Sequence, residues 1–270
     1  MQVCLVTGAS RGFGHLICER LAARGHRVYA GMRDPAGPGA ELGPTCEVVE
    51  LDVTDGDAVA HAVQTVIDRE GRLDAVVNNA GYPLWGPLEE TPLEEIQREF
   101  DVNVFGALRV TRAAVPIMRE QRSGVLVQLS SISGRVVAGP FWGHYAASKF
   151  ALEAFSEALA YELRPFGVRV VLIEPGSYDT TIGESTRLSP GLVEGRSAYD
   201  DSYRPMREAD EPWALGDPDE VAQAVVQAIE DPVTPLRVLL GEDARWYIDA
   251  KGRGDEEYRR AIWQLWRLPE

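Results

Sequence analysis

The stretch QVCLVTGASRGFG, Gln2–Gly14, decides the fold. Gln2–Thr7 carries apolar residues at odd and even positions alike, the composition of a strand covered on both faces. Three glycines follow with the spacing Gly-x-x-x-Gly-x-Gly (Gly8, Gly12 and Gly14), and from Gly14 to Arg24 the apolar residues recur at helical spacing. Glycines at such a turn let backbone N–H groups come close to a ligand. The start of the helix then presents its positive end to an anion such as a pyrophosphate. Ser10, Arg11 and Phe13 fill the other places in this loop. The spacing alone also fits a structural glycine turn; its place directly between an N-terminal strand and a helix favours the binding role.

The same alternation continues along the chain. Apolar runs at Arg27–Met32, Cys46–Leu51, Leu73–Val77, Val125–Leu129, Val168–Ile173 and Arg237–Leu240 read as further strands. Helical spacing predicts Asp55–Arg69, with Thr54 as its N-cap, then Leu93–Phe100, Val104–Gln121, Tyr145–Arg164 and Asp219–Ile229. Strands apolar on both faces alternating with helices predict an α/β fold: a Rossmann-like, doubly wound parallel sheet of about seven strands with helices on both faces. The expectation is a single domain over residues 1–270. Residues 177–218 are long, polar and poorly periodic, and are read as a substrate loop or lid. Residues 242–270 form a charged tail with Trp246, Tyr247, Tyr258, Trp263 and Trp266, read as a helix docked on the body or at an interface.

Composition narrows the function. A formal net charge of -15 over 270 residues disfavours nucleic acid and anionic membranes as partners. No apolar run approaches the ~20 residues needed to span a bilayer. The N-terminus reads as a buried strand and not as a signal peptide. Cys4, Cys18 and Cys46 lack metal-ligand spacing and suit a reducing compartment, and the four histidines stand far apart, so no metal is expected. The expected location is cytoplasmic.

The second strand ends Ala30-Gly31-Met32-Arg33. A dinucleotide-binding sheet that prefers NAD carries an acidic residue at this tip to accept the ribose hydroxyls. Here Arg33 takes the place, with Arg11 and Ser10 in the nearby loop. Two guanidiniums and a hydroxyl suit a 2′-phosphate, which predicts NADP(H) over NAD(H). Asp34 follows at once and would argue for NAD if the strand ran one residue further.

The chemistry is expected at Tyr145-Ala-Ala-Ser-Lys149, where positions i and i+4 share a helical face. A free phenol, with a pKa of ~10, is a poor proton carrier near neutrality. A neighbouring ammonium favours the phenolate, and lowering the pKa by ~2–3 units takes ~3–4 kcal/mol. Upstream, the fifth strand ends in Ser130-Ser131-Ile132-Ser133, and a hydroxyl at a strand's carboxyl end can bond to a carbonyl oxygen and stabilise charge there.

Taken together, TGASRGFG (Thr7–Gly14), LDVTD (Leu51–Asp55), NNAG (Asn78–Gly81), VNVFG (Val102–Gly106), Ser130–Ser131, YAASK (Tyr145–Lys149) and PGSYDT (Pro175–Thr180) resemble the short-chain dehydrogenase/reductase family. The likeness runs from about Val3 to Thr181 and is nearest in pattern to the 17β-hydroxysteroid and retinol dehydrogenase branch. It implies that Gly8, Gly12 and Gly14 cradle cofactor phosphates, that Asp52 and Val53 meet the adenine, and that Asn78 with the Asn79-Ala80-Gly81 backbone lines the adenosine side. It further implies that Pro175, Gly176 and Thr180 hold the carboxamide. Ser131 would orient the substrate oxygen, Tyr145 would be the general acid or base, Lys149 would bind the ribose, and Asn103 would hold a water that relays protons through Lys149. The stretch between Ser131 and Tyr145 is one residue longer than is usual in the family, so Ser133 is an alternative orienting hydroxyl. Phe13 stands where the family usually has isoleucine.

Segments that form substrate pockets in that family carry Tyr82, Leu84 and Trp85; Phe141, Trp142 and His144; and Ser177 and Tyr178 here. Aromatic residues at all three places predict an apolar alcohol or ketone, with or without rings, and Trp85, Ser133, Phe141, Trp142 and Tyr178 lining its site; the branch likeness implies a steroid- or retinoid-like molecule, with a polyketide-like one as the alternative. Core packing is the competing reading for each ring, and for His144 a surface position without a catalytic part. The family likeness also implies a homodimer or homotetramer. A cofactor-binding sensor or scaffold without turnover is the alternative function, and the presence of Asn103, Ser131, Tyr145 and Lys149 together speaks against it.

Overall fold

Along Val3–Thr7 (β1) the side chains alternate between two apolar environments, and this alternation builds the molecule. Cys4 and Val6 enter one core cluster, while Val3 and Leu5 enter another on the opposite face of the sheet. The computed structural model describes residues 1–180, 186–208 and 213–268. Beyond β1, the main sheet contains β2 (Arg27–Met32), β3 (Glu47–Glu50), β4 (Ala75–Asn78), β6 (Gly124–Leu129), β7 (Val168–Pro175) and β9 (Arg237–Leu240). These seven strands are all parallel, in the order β3-β2-β1-β4-β6-β7-β9. The predicted doubly wound sheet is therefore present.

The helices α1 (Gly12–Ala23), α2 (Gly56–Glu70), α3 (Leu93–Phe100), α4 (Ala107–Gln121) and α5 (Gly143–Leu163) connect the strands. On one face, Ile17 and Leu21 of α1 pack with Val6, Val77, Val127 and Val171. On the other, Val63 and Val66 of α2 and Val110 and Met118 of α4 pack with Leu5, Val76 and Leu126. The chain crosses from one face to the other at β1, which pairs with β2 on one side and β4 on the other. A crevice opens at such a switch point, outside the carboxyl ends of the strands.

Details at the element ends differ from the sequence reading. Asp55, not Thr54, caps α2: its carboxylate accepts from the Asp57 and Ala58 N–H groups. Thr54 instead donates its hydroxyl to Asp52 at 2.8 Å. Between α3 and α4 the chain makes a π-helix, Asp101–Gly106, where a continuous α-helix from Val104 was expected. Such wide turns are frequent at functional sites, and this one carries Asn103.

The long segment 177–218 is not featureless. Its described residues hold β8 (Arg187–Leu188), α6 (Pro190–Val193) and α7 (Asp200–Glu208); residues 181–185 and 209–212 lie outside the described part. β8 pairs in parallel with a two-residue strand that sequence patterning missed, β5 (Leu84–Trp85). After α8 (Pro218–Glu230) and β9, the tail forms α9 (Glu242–Gly252) and α10 (Asp255–Leu265). Tyr247, Ala250, Tyr258 and Ile262 of the tail pack on Ile132 and Val136, which follow β6. Tyr258 donates to Val137 O at 2.9 Å, and Trp266 Nε1 to Ala138 O at 2.7 Å. The tail is thus docked on the body, as two helices rather than one.

Candidate active site

The crevice is a cavity of about 670 Å³, within the usual range for small-molecule sites. Its walls come from the carboxyl ends of six strands, as a parallel sheet dictates. At one end Gly8, Ser10, Arg11, Gly12 and Phe13 face Arg33, Asp52, Val53, Asn79, Ala80 and Gly81; at the other are Ser131, Tyr145, Lys149, Pro175, Gly176 and Thr180. The structure thus brings together residues from seven separate sequence motifs.

The glycine loop is held by its neighbours. Thr7 Oγ1 accepts from the N–H groups of Asn79 and Ala80 at 3.1 and 3.0 Å, and Asn79 Nδ2 donates to Thr7 O and Gly8 O at 2.9 and 3.1 Å. Gly8 has φ +65°, and a Cβ there would stand 2.8 Å from Ala80 Cα. A Cβ on Gly14 would fall 2.3 Å from Gly8 O. Close approach at both places leaves room for hydrogen alone. Asn78 departs from expectation: it is buried beneath the cavity and donates Nδ2 to Thr111 Oγ1 at 3.1 Å.

β2 ends at Met32, so Arg33 is the first residue past the strand, exposed on the cavity wall. Asp34 does not line the cavity; its carboxylate accepts from the Ala36 N–H at 3.1 Å and is spent on the turn that follows. Arg11 lines the cavity as well. These residues fit a dinucleotide: a glycine cradle open to backbone N–H groups and guanidiniums at the ribose end, with the Asp52 carboxylate on the wall between.

At the far end, Tyr145 is the third residue of α5 and Lys149 lies one turn on. Lys149 Nζ is 5.7 Å from the Tyr145 ring centroid and donates to Leu129 O at 2.7 Å. Burial pulls the ammonium down to about 8, against the fields of Glu99 and Glu153. Burial also holds the Tyr145 phenol well above its ordinary range; its hydrogen bond with Ser131 opposes this and the Glu99 carboxylate adds to it. The sequence reading expects the opposite direction, because it weighs the lysine and not the depth of the phenol. Ser131 caps a short turn, its Oγ accepting from the Ser133 N–H at 3.1 Å. Ser133 itself is buried and does not line the cavity; of the two candidate hydroxyls Ser131 does, with Ser130 next to it on the wall. Asn103, buried in the π-helix, accepts from Tyr82 N and donates to Tyr82 O and Ser148 Oγ.

The aromatic residues divide. Trp142 lies with its ring centroid 6.0 Å from that of Tyr145. Phe141 packs edge-on against Trp85 and touches Tyr199 and Tyr203 of the 177–218 segment. Phe141 has φ +69°, a left-handed conformation that is costly for a bulky residue, about 1–3 kcal/mol. Tyr178 is not a substrate-side residue: its ring abuts Phe13, its hydroxyl donates to Glu220 at 2.8 Å, and it belongs to the core under the glycine loop. His144 is buried, not superficial, with Nδ1 3.3 Å from Leu84 O. Sequence reasoning missed Arg98, Asp101, Thr186 and Arg187 in the cavity wall, and the carboxyl of Glu99 behind it. Glu99 had one available signal, its i,i+4 relation to Asn103; Arg187 had none, since only the β5–β8 pairing carries it there.

A profile of the short chain dehydrogenase family matches residues 2–190. The 3-ketodihydrosphingosine reductase of Bacteroides thetaiotaomicron is 34% identical over 241 residues, covering 89% of this chain and 88% of the relative. Human retinol dehydrogenase 8 is 35% identical over 254 residues, 87% of this chain and 80% of the relative. Among solved structures, a short-chain dehydrogenase from Streptomyces avermitilis aligns with a TM-score of 0.83 at 36% identity, over 98% of this chain and 96% of that one. A short chain dehydrogenase from Burkholderia cenocepacia in complex with NADP aligns with a TM-score of 0.77 at 28% identity, over 99% and 98%.

Proposed function

We propose that this chain, which belongs to the short-chain dehydrogenase/reductase family, is an NADP(H)-dependent ketoreductase or alcohol dehydrogenase. Its substrate is a hydrophobic secondary alcohol or the corresponding ketone, of steroid-, retinoid- or polyketide-like character. The observation that carries this reading is the convergence of Ser131, Tyr145 and Lys149 on the cavity that the glycine loop opens. A nicotinamide dinucleotide, when bound, supplies the hydride donor or acceptor. Gly8, Gly12, Arg11 and Arg33 would hold its phosphates, with Asp52, Val53, Asn79, Ala80 and Gly81 along the adenosine and Pro175, Gly176 and Thr180 at the carboxamide.

Within that site the chain's own groups manage the proton. Ser131 orients the substrate oxygen and Tyr145 gives it a proton in reduction or takes one in oxidation. The ammonium of Lys149 favours the phenolate when the proton leaves, and a positive charge at the cofactor end would add to it. Trp142, whose ring lies beside that of Tyr145, supports an apolar substrate; Trp85 and Phe141 pack on each other and do not line the cavity. The 3-ketodihydrosphingosine reductase and retinol dehydrogenase relatives point the same way.

The test is the loss of absorbance of NADPH with a panel of cyclic and long-chain ketones. Tyr145→Phe should reduce turnover by at least 10³-fold, the scale of general acid catalysis, while NADPH still binds with nearly unchanged affinity. Undiminished turnover in that variant would refute the role, and no turnover in the parent protein would favour the sensor reading. A homodimer or homotetramer is proposed as well: Phe105, Phe150 and Tyr161 are exposed along the π-helix and α5, and light scattering of the purified protein would give the size.

A further inference from the structure

Behind the Ser131–Tyr145–Lys149 group lies a carboxyl whose placement the reaction above does not use. Glu99, in the last turn of α3, precedes Asn103 by one helical turn, so the two project to the same side. Together they grip the chain that follows β4. Asn103 takes the Tyr82 N–H on Oδ1 at 3.0 Å, and Glu99 takes the Leu84 N–H on Oε1 at 2.8 Å. His144, immediately before Tyr145, closes on the same residue from the other side at Leu84 O. Glu99 is completely buried, and its Oε2 has no hydrogen-bond partner among the described residues.

A carboxylate so placed is poorly compensated by one N–H and seeks a cation. Lys149 is the ammonium on this side: its Nζ and Asn103 Oδ1 lie 3.8 and 3.0 Å from where a Cβ on Gly81 would stand, and its charge draws the Glu99 carboxyl down against burial. In return the Glu99 charge acts on both Lys149 and Tyr145. Other groups bear on this trio: Glu153, from α5, acts on Lys149; the Ser131 hydroxyl, after β6, bonds the phenol; and the His144 imidazole flanks Leu84.

We propose that Glu99 is a positioning residue for this reaction, whose buried carboxylate, fixed on the Leu84 N–H, keeps Lys149 an ammonium and sets the pH at which Tyr145 releases its proton. The consequence for turnover rests on the oxidoreductase reading; the electrostatic coupling does not. The sign is definite. A negative charge here stabilises the ammonium and opposes the phenolate. Burial pushes the Glu99 carboxyl up to about 7, so its charge is switched on in the range where Lys149, near 8, is at risk of losing its proton. Removing the charge lowers the pH at which both neighbours ionise.

Glu99→Gln keeps the shape and the acceptor for Leu84 while removing the charge. The phenolate is titrated by its ultraviolet absorbance, with Tyr145→Phe in each background subtracted to isolate Tyr145. Glu99→Gln should move that ionisation down by about one pH unit or more, the shift a close buried charge produces. The alkaline-rising limb of alcohol oxidation should move with it while the KM for NADP stays put. An unmoved phenolate titration would overturn the proposal and leave Glu99 as a backbone anchor only. A phenolate that moves in a protein without turnover would uphold the coupling and reject the oxidoreductase reading instead. Should Glu99→Gln not fold, the coupling can be read from the other side by carbon-13 NMR of labelled glutamates. Lys149→Met must then raise the pH at which one buried carboxyl titrates, and a set of glutamate titrations indifferent to that change would refute it.

Discussion

At the scale of single residues, charge and depth compete, and depth is the quantity sequence conceals. Tyr145 and Lys149 were legible from i,i+4 spacing, and their meeting at one cavity follows from it. The direction in which the phenol shifts was not legible, since it depends on how deeply the folded chain buries Tyr145. Arg33 is the converse case. Its position past the end of β2 was readable, and an exposed guanidinium on the cavity wall is what a 2′-phosphate requires. Arg33→Ala is expected to weaken NADPH binding by about 1.5–3 kcal/mol, the worth of a charge-assisted bond, and to leave NADH almost untouched. Fluorescence titration with both nucleotides checks this, and equal losses would place the phosphate elsewhere.

Elements carry the next layer of argument. The β1–α1 turn was legible because glycine spacing and strand-helix order are local facts, although α1 begins at Gly12, two residues before the helical spacing does. Its tightness is now measurable: a Cβ at Gly14 would meet Gly8 O at 2.3 Å. Gly14→Ala should therefore shift the turn, lower the melting temperature by several degrees for a loss of about 1–3 kcal/mol, and weaken nucleotide binding at least tenfold; calorimetry and binding titration read the two effects. The π-helix at Asp101–Gly106, the β5–β8 pair and the left-handed Phe141 were not legible. Each results from contacts between segments far apart in sequence, and a two-residue strand has no periodicity to detect. Ser133 and Tyr178 were misassigned for the same reason: neither a hydroxyl near a strand end nor a ring near a Pro-Gly turn says which way it faces.

For the whole molecule, the sheet order follows from the parallel strands and the helices between them, whereas the tail's destination had to be seen. Its Asp243 reaches back to the turn after β7, where Oδ2 accepts from the Ser177 N–H at 2.7 Å and Oδ1 would collide with any Cβ on Gly176. Asp243→Ala leaves that N–H without its acceptor, at a cost of about 1–3 kcal/mol, and should loosen the Pro175–Thr180 wall. The expected readout is a several-fold rise in KM for the nucleotide with little change at the ketone; an unchanged KM would mean that the turn holds its own shape.

The docking of α9 and α10 onto the segment after β6 also orders events during synthesis. Residues of the glycine loop leave the ribosome first, and those that brace Ile132, Val137 and the Pro-Gly turn leave it last. Because a domain folds as a unit, a nascent chain completes the wall around Ser177 and Val137 only once its final helices emerge from the tunnel. Translation stalled near Gly241 would leave a chain able to fold much of its sheet yet unable to turn over.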